Sequence, residues 1–215
     1  ASVRQKVNGF KERFGGIPIA KAVYQRFVQG EMLLLESEQV FERKDYSKAA
    51  EKIQTALSHI DSADTYTTQT MQAYFANIPK WQRWVAETIA WSAQRKAAVI
   101  IVDKMGGRCQ VYVAGHLKAE YPVEFGPRWI GPKKRGGDRA TPEGRYYVTN
   151  KRGPGGTRYY KALDINYPNE DDVREFREAK RRGELPRSAY IGGLIEIHGT
   201  GGRGANWTQG CVALR

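Results

Sequence analysis

The chain has 215 residues, 40% of them hydrophobic and 27% charged, the proportions of an ordinary globular protein with room for one large domain or two modest ones. Its longest clearly apolar run, AAVIIV at 97–102, is far too short to cross a bilayer, and two cysteines are too few for a disulfide framework. The net charge of +12, with +4 from residues 1–98 and +8 from 99–215, suits an acidic partner such as nucleic acid, anionic lipid or a cell-wall polymer, and equally a solvated cationic face with no dedicated partner.

Residues 1–96 read as helices. After Ser47, apolar positions at Ala49, Ile53, Leu57 and Ile60 keep helical spacing. The stretch GEMLLLESEQVFERKDYSKAAEKIQTAL (Gly30–Leu57) has a loose resemblance to a tetratricopeptide helical hairpin, although one hairpin lacks the stacked neighbours such repeats need. Pro79 opens a further helix in which Trp81, Trp84, Thr88 and Trp91 form a stripe, read as core rather than as a sugar-stacking face. This half is expected to be a helical module that packs against the rest or recruits a protein partner.

Near Ala97 the period changes. Short runs separated by Gly106-Gly107 and Gly115-His116 predict an antiparallel meander ending near Gly126. Further strands are expected at Arg145–Thr149, Tyr159–Ile165 and Leu194–His198, with a last strand over Val212–Arg215. One helix interrupts them: EDDVREFREAKRRG carries acids at its start, bases at its end and Gly183 as its stop. The fold class is therefore α+β, a helical module at 1–96 followed by a mainly β domain at 97–215.

The terminal stretch EIHGTGGRGANWTQGCVALR places five glycines between His198 and Cys211. A thiol at its ordinary pKa is only a few per cent thiolate at neutral pH, and an imidazole that takes its proton makes it a nucleophile. On residue types alone, a catalytic Cys211 and a buried structural one are both open. No CxxC or His/Cys cluster has metal-ligand spacing, and no metal or cofactor is expected. Cys109 is read as packing, and His59 and His116 as exposed. Nucleic-acid binding rests on charge alone, without a reading helix or aromatic RNA-binding motif.

IGGLIEIHG, followed by TQGC ending at Cys211 and then VAL, resembles the signature of L,D-transpeptidase catalytic domains of the YkuD type. KRGGDRATPEGRYYV (Lys134–Val148) is similar to the family's Gly-Asp-x-x-Thr-Pro-Glu-Gly-x-Tyr block, and RYYKALDINYPNEDD (Arg158–Asp172) to the Tyr-Pro-Asn segment of the Gram-negative YafK/ErfK-like subgroup. The resemblance covers roughly Val99 to Arg215. It implies a YkuD-like β-sandwich and a periplasmic or cell-envelope enzyme that acts on peptidoglycan stem tetrapeptides through a Cys211 thioester. His198 would be the base, the Gly199 carbonyl its orienting partner, and the Gly210 and Cys211 amides the oxyanion hole. Thr208 would support the loop, while Arg203, Tyr190 and Arg215 are expected to meet substrate.

Two positions depart from the family pattern. Gln209 stands where many members have histidine, and Ala213 where many have arginine or asparagine. They leave transfer to an amine and hydrolysis as an L,D-carboxypeptidase or endopeptidase both open; a non-catalytic wall-binding module is the alternative of a different class. Family domains normally continue past this point, so the resemblance also implies a C-terminal part cut short.

Overall fold

The computed structural model describes residues 2–215. The chain divides into two compact units, Ala1–Ile78 and Pro79–Arg215. The Trp-bearing helix is thus grouped with the sheet, whereas the change of period in the sequence suggested a division between 96 and 97.

In the first unit, α1 (Val3–Phe14), α2 (Lys21–Glu42) and α3 (Tyr46–Phe75) form an up-down-up bundle. Ser2 caps α1 in a capping box with Gln5, and Asp45 accepts from the Lys48 amide to start α3. Phe10 stacks on Phe27 with ring centroids 4.2 Å apart, while Ala49, Ala56, Ile60 and Ala63 supply the buried stripe of α3. Gly30 lets α2 approach closely: a β-carbon there would lie 2.7 Å from Ile60 Cγ1 and 3.1 Å from the Ala56 carbonyl oxygen. Ion pairs Arg4–Glu38, Lys52–Glu36 and Arg13–Asp64 line the outside and contribute little each. His59 is half-buried rather than exposed.

The second unit opens with α4 (Ile78–Arg95). Its tryptophan stripe is only partly covered: Trp81, Trp84 and Thr88 are half-buried, Trp91 is 49% exposed, and Ser92 is the buried residue of the helix. The Ser92 hydroxyl donates to the Ala97 carbonyl and accepts from the Gly115 amide, tying the helix end to the turn between the second and third strands. The strands are β1 (Ala98–Asp103), β2 (Arg108–Val113), β3 (His116–Glu124), β4 (Val148–Arg152), β5 (Ala162–Ile165), β6 (Glu196–His198) and β7 (Val212–Leu214). They form one mixed sheet in the order β1-β2-β3-β7-β6-β5-β4. The nine-residue β3 pairs with β2 along most of its length, then with β7 through Val123 and Glu124. Every pairing is antiparallel except β6 with β7.

Cys109 is 1% exposed in a core with Val123, Phe125 and Val212, and burial pushes its thiol up to about 11. It is a packing residue. The helix α5 (Glu170–Arg181) starts at Asn169, whose side chain accepts from the Asp172 amide while Asp172 accepts in return. The expected strand at Arg145–Thr149 lies three residues later, at Val148–Arg152. The reason is pairing: Val148 faces Ile165 and Arg152 faces Ala162, while Arg145 turns away to meet Glu87 of α4.

Candidate active site

The one parallel pairing of the sheet builds the site. Ile197 faces Val212 and His198 faces Ala213 across β6 and β7, so one step back Cys211 falls opposite Glu196. The Glu196 amide donates to Cys211 Sγ at 3.4 Å, and the thiol points to the Leu194 carbonyl at 3.7 Å. Cys211 lies two residues before the register partner of His198, and alternation along the strand turns both side chains to one side.

His198 is 2% exposed. Its Nδ1 lies 2.6 Å from the Gly199 carbonyl, which can only accept, so the proton sits on Nδ1. The ring is stacked on Tyr159 with centroids 3.7 Å apart and meets Trp207 edge-on. Nε2 is buried without a hydrogen-bond partner. A buried nitrogen with an open lone pair is costly to keep and is a proton acceptor in waiting. Burial, above all, holds the imidazole below its usual range; Arg158 and Arg203 push the same way, and the Gly199 bond opposes them. Burial likewise pushes the Cys211 thiol up, and the Glu196 carboxyl adds to this, against the Glu196 amide, Lys133 and Arg158. The resting pair is therefore a neutral thiol and a neutral imidazole.

The loop before Cys211 is tightly packed at Gly210. A β-carbon there would sit 2.7 Å from the Ala140 carbonyl oxygen and 3.5 Å from Lys133 Nζ, and φ is +135°, so only glycine fits. The Gly210 amide donates to Thr208 Oγ1, which itself donates to the Cys211 carbonyl. Thr208, 2% exposed and bound through its amide to the Phe125 carbonyl, braces the turn from inside.

The remaining expected residues surround this centre unevenly. Arg203 lies over the Trp207 ring at 3.5 Å, and the Trp207 indole donates to Glu124. The Arg215 side chain runs alongside Gly202, and Ala213 is fully buried. Tyr190 is 67% exposed with its ring against Gly136, whose amide donates to the Tyr190 carbonyl. His116 is exposed at the start of β3.

Three residues escaped the sequence reading. Tyr159 sits inside a quoted segment but carries no spacing signal, and Trp207 lay in the terminal stretch without being singled out. Lys133, in the basic run before Asp138, is buried and ion-paired to it at 2.8 Å. Among the described residues no group of three or more His, Cys, Asp or Glu side chains is placed to hold a metal.

A parallel β6–β7 pair carrying histidine and cysteine beside a glycine-rich turn agrees with what comparison finds. The model of the YkuD family, described as an L,D-transpeptidase catalytic domain, matches residues 97–215, more than half of the chain, and the chain belongs to that family. Over 51 residues it is 43% identical to "Putative L,D-transpeptidase YafK" of Escherichia coli (strain K12), a stretch that is 24% of this chain and 21% of that relative. The counterpart in Escherichia coli O157:H7 gives the same figures. The chain thus spans about a fifth of the length of the curated relatives it matches, and the similarity supports the YafK/ErfK-like subgroup. No helix among the described residues is long and apolar enough to cross a membrane.

Proposed function

We propose that the protein is a cell-envelope L,D-transpeptidase that acts on peptidoglycan stem tetrapeptides through a Cys211 acyl-enzyme. The observation that carries this reading is the His198 ring: Nδ1 committed to the Gly199 carbonyl, Nε2 buried and unpaired, one strand across from Cys211. In the proposed sequence Nε2 takes the thiol proton as Sγ attacks the carbonyl carbon of the third stem residue, an L-centred diamino acid. The tetrahedral adduct collapses with loss of D-alanine, whose nitrogen receives that proton from Nε2, and a thioester remains. An amine then gives a proton to Nε2 and attacks the thioester; the sulfur leaves and recovers the proton. Oxyanion stabilisation falls to the Cys211 amide and to Gly210 once its bond to Thr208 yields. Arg203, held over Trp207, supplies positive charge for a substrate carboxylate.

Incubation with a carbapenem, whose ring an active thiolate of this family opens, is expected to add one drug mass to the intact protein and none to Cys211→Ala. Labelling that persists in the variant would defeat the assignment.

Hydrolysis of the same thioester is the second reading, favoured by Gln209 and by a fully buried Ala213 that offers no side chain to an acceptor. Mass spectrometry of muropeptides separates the two. Tripeptides alone mean water as acceptor; crosslinked or amine-exchanged products mean transfer. Equal complementation of a deletion strain by wild type and Cys211→Ala would instead point to a binding module.

A further inference from the structure

Beneath the nucleophile lies a buried charge that the proposed chemistry does not use. The Lys133 side chain is 3% exposed and that of Asp138 6%, with Nζ 2.8 Å from Oδ1. Nζ also donates to the Gln209 carbonyl at 3.4 Å, two residues before Cys211. On the other side Asp138 accepts the Lys134 and Arg135 amides through Oδ2 and the Ala140 amide through Oδ1. The carboxylate is thus fixed by three backbone donors, and the ammonium is left to face the 209–211 turn. Three segments meet on this lysine: its own loop, the Gln209–Gly210 turn, and the loop leading to Leu194, where its Cε lies 3.5 Å from where a β-carbon on Gly192 would be.

A buried ion pair is a poor device for stability alone, because desolvation consumes most of the Coulombic gain. Its placement suggests another use. A charge in a low-dielectric site acts strongly on a neighbouring sulfur, and it needs no reorganisation when negative charge appears there.

We propose that Lys133, aimed by Asp138, is a positioning residue for Cys211: it holds the Gln209 carbonyl from below and supplies fixed positive charge to the thiolate and to the negative charge of its acyl adducts. The proposal rests on Cys211 being the nucleophile. The charged and titratable groups around the pair are Glu196 and Arg158 facing the sulfur, Arg158 and Arg203 facing His198, and Lys104 and Tyr167 facing Asp138. Lys104 has its own acceptors in the Gly131 and Thr141 carbonyls and Glu143, and so does not compete for the turn.

The test is the pH dependence of Cys211 alkylation by iodoacetamide in the full chain, read by peptide mass spectrometry so that buried Cys109 is scored separately. Lys133→Met should move the midpoint up by about one pH unit and slow alkylation at neutral pH roughly tenfold, with a plateau at high pH as fast as wild type or faster. Lys133→Met/Asp138→Asn, which leaves no orphaned carboxylate, should fold if the single variant does not and should show the same upward shift. A lowered melting temperature with an unmoved midpoint in either folded variant would reduce Lys133 to packing and overturn the proposal. Failure of carbapenem labelling in the wild type with an intact Lys133 effect would fault the enzymatic reading instead.

Discussion

His198 carries its proton on the nitrogen that faces Gly199, and burial keeps the ring neutral where a free imidazole would be half charged. Two consequences follow. The unfolded chain takes up a proton below about pH 6.5 while the folded ring does not, so this residue's contribution to stability is complete above that value and is lost as pH falls toward the folded-state pKa. Catalytically, a base already neutral and a thiol still protonated predict a carbapenem-labelling rate that is flat between roughly pH 6.5 and 8.5. A steep rise within that window, centred near 7, would mean that the imidazole titrates normally and that its burial is relieved in solution. Legibility at this scale was uneven. Cys211 and His198 stood out because sulfur and imidazole beside glycine-rich backbone are chemically unusual, whereas Lys133 looked like one cation in a basic run. Nothing in a linear sequence separates a lysine in water from one sealed against a carboxylate.

At the level of elements, those with local causes were readable and those fixed by pairing were not. The α5 boundaries follow from Asn169, three acids in the first turn, two bases in the last and Gly183 at φ +72° beyond the end. The position of β4 is set by its pairing with β5 rather than by local propensity, so its register could not be read from its own residues. The tryptophans of α4 misled for a related reason: helical spacing reveals a face but not what covers it. The α2–α3 crossing allows a sharper test. Alanine in place of Gly30 gains about 1 kcal/mol of helix propensity, yet its β-carbon meets a buried Ile60 side chain at 2.7 Å and backbone at 3.1 Å. Overpacking of this kind costs roughly 1–3 kcal/mol, so the clash wins. Gly30→Ala should lower the thermal midpoint by several degrees in calorimetry. An increase would show that the helices part without penalty.

For the molecule as a whole, the order of a helical half before a mainly β half was legible because the hydrophobic period changes near Ala97 and returns to a helical one only over α5. The charge is equally plain: +12 overall, most of it in the part that carries the site. Stem peptides and wall polymers carry carboxylates, so the reading proposed above predicts that retention on purified sacculi is electrostatic. Raising salt from 0.01 to 1 M shortens the screening length from roughly 30 to 3 Å and should release most of the bound protein. Retention unchanged across that range would remove charge from the account of binding and leave shape or apolar contact to explain it.

The clamp on the His198 ring, with a carbonyl at one nitrogen and Tyr159 flat against its face, gives the imidazole a single doorway. Whatever hydrogen ion enters must go out by the same threshold, so donor and recipient have to take turns at one spot rather than stand on opposite sides. On the proposed mechanism, the leaving nitrogen and then the incoming amine must each come within reach of that same Nε2, one after the other.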